Sequence, residues 1–165
     1  MSKFKELQAT AEESERKSLE YRARSYQDLN TLAAEFVKYC EIPAGCFSWW
    51  PLEKEPEPRM MYNVVGATHF SADGYWHAGF IIDLSSAENE FPRRRALFEF
   101  CVAERNGALM VKAGKKGKEW RLNLTDEIER NKFYDSVVEL TKKVLSTELT
   151  DMPNGDGLRK VGFNA

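Results

Sequence analysis

A chain of 165 residues, 42% apolar and 30% charged, has the length and balance of one globular domain with one core, and it is not a disordered segment. Its 24 basic and 26 acidic side chains leave a net charge of −2, so no global field draws it to nucleic acid or to anionic membrane. No run approaches the roughly 18 apolar residues of a membrane helix, the first residues are polar rather than signal-like, and the three cysteines are odd in number, so the expectation is a cytoplasmic protein with reduced thiols.

Residues 3–40 contain neither Pro nor Gly and favour helix, with acid-first pairs Glu12–Arg16, Glu13–Lys17 and Glu20–Arg24. The second half carries an apolar stripe of Leu29, Leu32, Ala33, Phe36, Val37 and Cys40. The first half has only Phe4, Leu7, Ala11 and Leu19 among charge. A small sheet cannot cover such a length, so residues 1–22 read either as a solvated arm or as a dimerisation arm. Pro43 and Gly45 stop the helix, and Cys46-Phe47-Ser48-Trp49-Trp50 follows as a short edge strand before the acidic, proline-spaced Glu53–Pro58. Cys40 and Cys46 lack the second pair that a zinc site needs and read as buried thiols.

The stretch from Arg59 to Leu124 carries the sheet. Arg59–Phe70 and Tyr75–Leu84 alternate, and the Ala72-Asp73-Gly74 turn sets Phe70 opposite Trp76 and His69 opposite His77. A strand from about Arg94 to Arg105 turns at Asn106-Gly107, pairing Val102 with Val111 and Phe100 with Ala113. Lys116-Gly117 closes the next hairpin, pairing Ala113 with Trp120 and Val111 with Leu122. A last helix, capped at Asp126, runs to about Thr147 with an inner stripe of Val137, Val138, Thr141, Val144 and Leu145. The fold class is therefore α+β: a long N-terminal helix, a five- to six-stranded antiparallel meander, and a C-terminal helix packed on the sheet. Residues 1–149 form one domain and 150–165 a flexible tail.

Three places carry functional expectations. The outward face has an apolar middle in which Val65, Ile81, Leu97, Cys101 and Met110 mark a partner-binding surface. Part of the N-terminal helix, a second subunit or a small ligand would each cover such a face. His69 and His77 lie side by side on it as weak metal candidates, with Asp73 the one nearby third ligand, so no metal or cofactor is assigned. The second place is the basic end of the sheet, where Arg59, Arg93, Arg94, Arg95, Lys115, Lys116 and Lys118 gather to hold an anion, nucleotide or nucleic acid, unless Glu53, Glu55, Glu57, Glu88 and Glu90 neutralise them. The third is an aromatic pocket between sheet and helix lined by Trp49, Trp50, Tyr62 and Trp76. The chain has no glycine-rich phosphate loop, HExxH, GxSxG or paired CxxC. The leading expectation is thus a non-enzymatic protein-interaction module, an adaptor, inhibitor or chaperone-like protein acting as a homodimer.

Overall fold

The Ser2 hydroxyl accepts the Lys5 N–H and opens α1, Lys3–Tyr39. This computed structural model describes residues 2–57, 59–87, 93–146 and 158–161. Along α1, Arg16 is clasped by Glu13 and Glu20 at 2.6 Å each, while Arg24 crosses to Glu104 at 3.2 Å instead of pairing with Glu20. The left-handed backbone of Glu41 ends the helix.

The other elements follow in order: β1 Phe47–Trp49, α2 Val64–Ala67, β2 Thr68–Phe70, β3 Trp76–Asp83, β4 Arg95–Arg105, β5 Ala108–Ala113, β6 Trp120–Leu122, α3 Glu127–Leu145 and β7 Leu158–Val161. The path β1-β3-β4-β5-β6 is antiparallel throughout; β2 continues the β1 edge along β3, and β7 lies parallel to β4. Asn106 and Gly107 both adopt positive φ, 52° and 74°, as a two-residue hairpin requires, and the β4–β5 register is the one that turn demands. The sheet, both long helices and their order agree with the α+β expectation. Among the described residues no helix is long and apolar enough to cross a membrane.

Four details differ from the sequence reading. The strand expected from Arg59 begins only at Thr68, because the Asn63 side chain accepts the Gly66 N–H at 2.9 Å and winds Val64–Ala67 into one helical turn. The β5–β6 register slips by two residues, to Val111↔Trp120 and Leu109↔Leu122, since the turn spans Gly114 to Glu119 rather than closing tightly at Lys116-Gly117. A two-residue slip keeps every side chain on its face. The inner stripe of α3 starts a turn earlier than expected, with Phe133 and Tyr134 buried; Val137 is buried and Val138 and Val144 pack on the core as expected, while Leu145 is exposed. Finally, Leu158–Val161 lies in the stretch read as tail yet forms β7, with Val161 buried; the rest of 150–165 falls outside the described residues.

Both helices cover one face of the sheet. Phe36 of α1 meets Phe80, Phe98 and Phe100, and Phe133 of α3 meets Phe100 and Trp120. The Tyr134 hydroxyl donates to the Leu32 carbonyl at 2.7 Å and ties the helices together. Burial of each such aromatic side chain contributes about 1.5–3 kcal/mol.

Candidate functional site

The opposite face of the sheet, for which part of the N-terminal helix, a second subunit or a small ligand was the expected cover, is buried by other segments of the chain. Neither α1 nor a second chain is needed. Trp50 donates its N–H to the Gly79 carbonyl, and Trp50 and Leu52 press so close to Gly79 that a Cβ there would stand 2.3 Å from the Trp50 oxygen. Tyr75 packs with Cys101, Ala103 and Met110, and its hydroxyl donates to Glu119 at 2.5 Å. Of the expected partner-binding residues, Ile81 and Leu97 are each 4% exposed, Cys101 is fully buried and Met110 is half-buried; Val65 stays 51% exposed on α2. The apolar middle of this face is second core rather than free surface.

Beneath that cover lies a buried polar cluster. The predicted cross-strand pair His69↔His77 forms, with the two rings stacked at 5.2 Å. His77 is held at both nitrogens: Nε2 meets Asp73 at 2.9 Å, and Nδ1 meets Glu99 Oε1 and Cys101 Sγ at 3.2 Å each. Asp73 also accepts the Tyr75 N–H at 3.0 Å and Lys112 Nζ at 3.3 Å, and Lys112 donates onward to the Lys115 carbonyl. Burial opposes charge on His77, yet the hydrogen bonds to Glu99 and Asp73 outweigh it and raise its pKa. Burial likewise opposes charge on Asp73, but His77, the Tyr75 N–H and Lys112 together hold it at about 2. His69 is pushed down by burial, which its neighbour Glu53 only partly offsets.

No family model, curated protein or solved structure matches the chain. The chemistry of the cluster must therefore be read from its atoms. Cys101, His77 and Asp73 line up in the order nucleophile, base and orienting acid. Two features disfavour a free thiolate there. Cys101 is fully buried, and burial together with the Glu99 carboxylate drives its thiol strongly upward, away from the thiolate. Glu99, Cys101 and Lys112 were all legible as outward residues. What was missing was the β3–β4 register, which sets Cys101 opposite His77 and Glu99 opposite Gly79. No turn motif between Asp83 and Arg95 announces it.

The basic set does not converge. Arg93 bonds Asp83 at 2.6 Å, and Lys118 lies over the Trp120 ring. Gly114 donates to the Glu99 carbonyl, so the turn bearing Lys115, Lys116 and Lys118 begins level with the middle of β4. Ala113 pairs with Phe100, five residues beyond Arg95 and roughly 16 Å along the strand. Arg59 sits in the irregular segment before α2, and Arg94 is exposed. Of the countercharges weighed against this set, Glu53 lies 4.0 Å from His69, while Glu88 and Glu90 fall outside the described residues.

The aromatic set separates too. Trp49 packs on Phe47 and Phe80, Trp76 is edged by Tyr21 and Tyr26 of α1, and Trp50 lies in the outer strap. The Tyr62 hydroxyl accepts the Glu57 N–H at 2.8 Å in the loop. Helix and sheet meet here as filled core. Among the described residues, a cleft of about 320 Å3 lies instead between Lys116, Lys118, Trp120 and Phe133.

Proposed function

We propose that the chain is a non-enzymatic protein-interaction module of a reducing, cytoplasmic compartment and that it acts as a homodimer joined through the first half of α1. The observation that carries this reading is the exposure of that half. Residues 2–20 are exposed throughout, with Phe4 at 67%, Leu7 at 69% and Leu19 at 48%, and the first buried residue of α1 is Ser25. At 100° per residue, Phe4, Leu7 and Ala11 continue the same stripe that Leu29 and Phe36 turn to the sheet. Polar Ser14, Ser18 and Arg22 interrupt that stripe, and Phe4, Leu7 and Ala11 resume it beyond the end of the sheet. Ion pairs between neighbours on a helix add only about 0.2–0.5 kcal/mol each, too little to account for five exposed turns without packing.

A second copy fits because the arm is complementary to itself. In an antiparallel pair with its two-fold axis between Ala11 and Glu12, Phe4 of each copy lies level with Leu19 of the other. Lys3 then lies level with Glu20, and Glu6 with Lys17. The test is sedimentation equilibrium on the full chain and on a Phe4→Glu/Leu7→Glu variant. A native dimer that becomes a monomer with an unchanged far-UV spectrum is the expected result. A native chain that stays monomeric at its highest soluble concentration removes the reading, as does a variant that dimerises as tightly.

A further inference from the structure

We infer that His77, Glu99 and Cys101 form a binding site for one zinc-type divalent metal ion, with Asp73 as the positioning residue behind the imidazole. The three ligand atoms make a triangle with edges of 3.2 Å from Nδ1 to Oε1, 3.2 Å from Nδ1 to Sγ and 3.6 Å from Sγ to Oε1. Tetrahedral zinc with bonds of roughly 2.0–2.3 Å to nitrogen, oxygen and sulfur keeps such neighbours roughly 3.3–3.7 Å apart. The triangle therefore meets the ion after shifts of a few tenths of an ångström.

Without an ion, the Nδ1 and Sγ hydrogens can both donate to Glu99 Oε1, at 3.2 and 3.6 Å. One cation in place of those two protons draws all three ligand atoms to a common centre.

The supporting geometry is already built. Asp73 takes the far nitrogen of His77 at 2.9 Å, which leaves Nδ1 for the ion in the carboxylate–histidine–metal arrangement. His77 and Cys101 are a cross-strand pair, and Glu99 lies two residues from Cys101 on the same strand, so the ligands stand on rigid backbone. With the Cys101 proton displaced to solvent by the ion, one thiolate, one imidazole and one carboxylate select a borderline-soft ion over magnesium or calcium. Lys112 does not intrude, because its ammonium is bonded to Asp73 and to the Lys115 carbonyl. Among the described residues no fourth His, Cys, Asp or Glu joins the group.

The probe is cobalt(II), added without oxygen to the full, tag-free, reduced chain after metal stripping, with zinc(II) then added to compete. The expected result is one cobalt per chain with a thiolate charge-transfer band in the near ultraviolet, displaced by zinc. Cys101→Ala should lose the band. Asp73→Asn should keep it with affinity weakened about 10–100-fold. Should Cys101→Ala not fold, the decision passes to a Cys40→Ala/Cys46→Ala variant, whose one remaining thiol is Cys101. Retention of the band there supports the site and its loss overturns it. Failure of the folded native chain to bind stoichiometric cobalt, or a band that survives Cys101→Ala, also overturns the site.

Discussion

At Gly79 the outer cover touches the backbone of β3. A Cβ there would meet the Trp50 carbonyl at 2.3 Å and Leu52 at 2.7 Å, and a backbone oxygen cannot swing aside as a side-chain tip can. Gly79→Ala is expected to destabilise the fold by about 1–3 kcal/mol in urea unfolding. Gly66→Ala, whose tightest contact would be the Tyr62 ring at 3.2 Å, should lose less. Equal stability for Gly79→Ala and the native chain would show that the strap is not seated as described. Asp83 supplies a second prediction at this scale. Burial opposes its charge, but the Ser85 N–H and Arg93 outweigh that and hold its pKa at about 2, below the usual 3.8. A depressed acid stabilises the fold above its unfolded pKa and loses that contribution as pH falls through the folded one. The stability gap between native and Asp83→Asn should therefore be full at pH 6, shrink below about 4 and close near pH 2. A gap that is constant across that range would mean the Arg93 contact is not an ion pair in solution.

At the scale of elements, α1 divides into a half that packs and a half that does not. Phe36 meets three phenylalanines of the sheet and Tyr134 of α3, so Phe36→Ala is expected to cost about 3–5 kcal/mol by chemical denaturation. A loss below 1 kcal/mol would mean that α1 does not seat its second half on the sheet. Elements with strong local signals were legible in the sequence: α1 from its unbroken run and stripe, β4 and β5 from Asn106-Gly107, the start of α3 from Asp126, which does accept the Ile128 and Glu129 N–H groups. Elements decided by a local backbone choice that residue type does not announce were not. Val64 and Val65 have strand propensity and a strand-like alternation, yet a cap from Asn63 coils them. The β5–β6 slip has the same origin, since Gly114 rather than Gly117 takes the left-handed backbone at the turn.

At the scale of the whole molecule, the sequence separated the two faces of the sheet correctly but could not say what covers them. The alternation of β3 and β4 assigns Phe80, Phe98 and Phe100 to one side and Ile81, Leu97 and Cys101 to the other, and both sets prove buried. A pattern of period two reports which way a side chain points, not whether a loop forty residues away in sequence lies on top of it. That limit explains why His69, His77 and Asp73 were grouped in advance while Glu99, across an unsigned turn, was not. Exposed apolar side chains lie instead elsewhere, among them Phe4, Leu7 and Leu19 of α1, Met60, Met61 and Val65.

β7 has a kinetic consequence. It pairs with Arg95–Phe98 from the side that β5 leaves vacant, and it lies about 60 residues downstream of them (158 − 95 = 63). The β4–β5 hairpin closes locally, but the first half of β4 cannot be paired on that side until the later residues exist. At the usual 5–20 residues per second of synthesis, that delay is roughly 3–12 s. During those seconds a nascent chain shows a bare strand edge over Arg95–Phe98, open to pairing with the wrong strand.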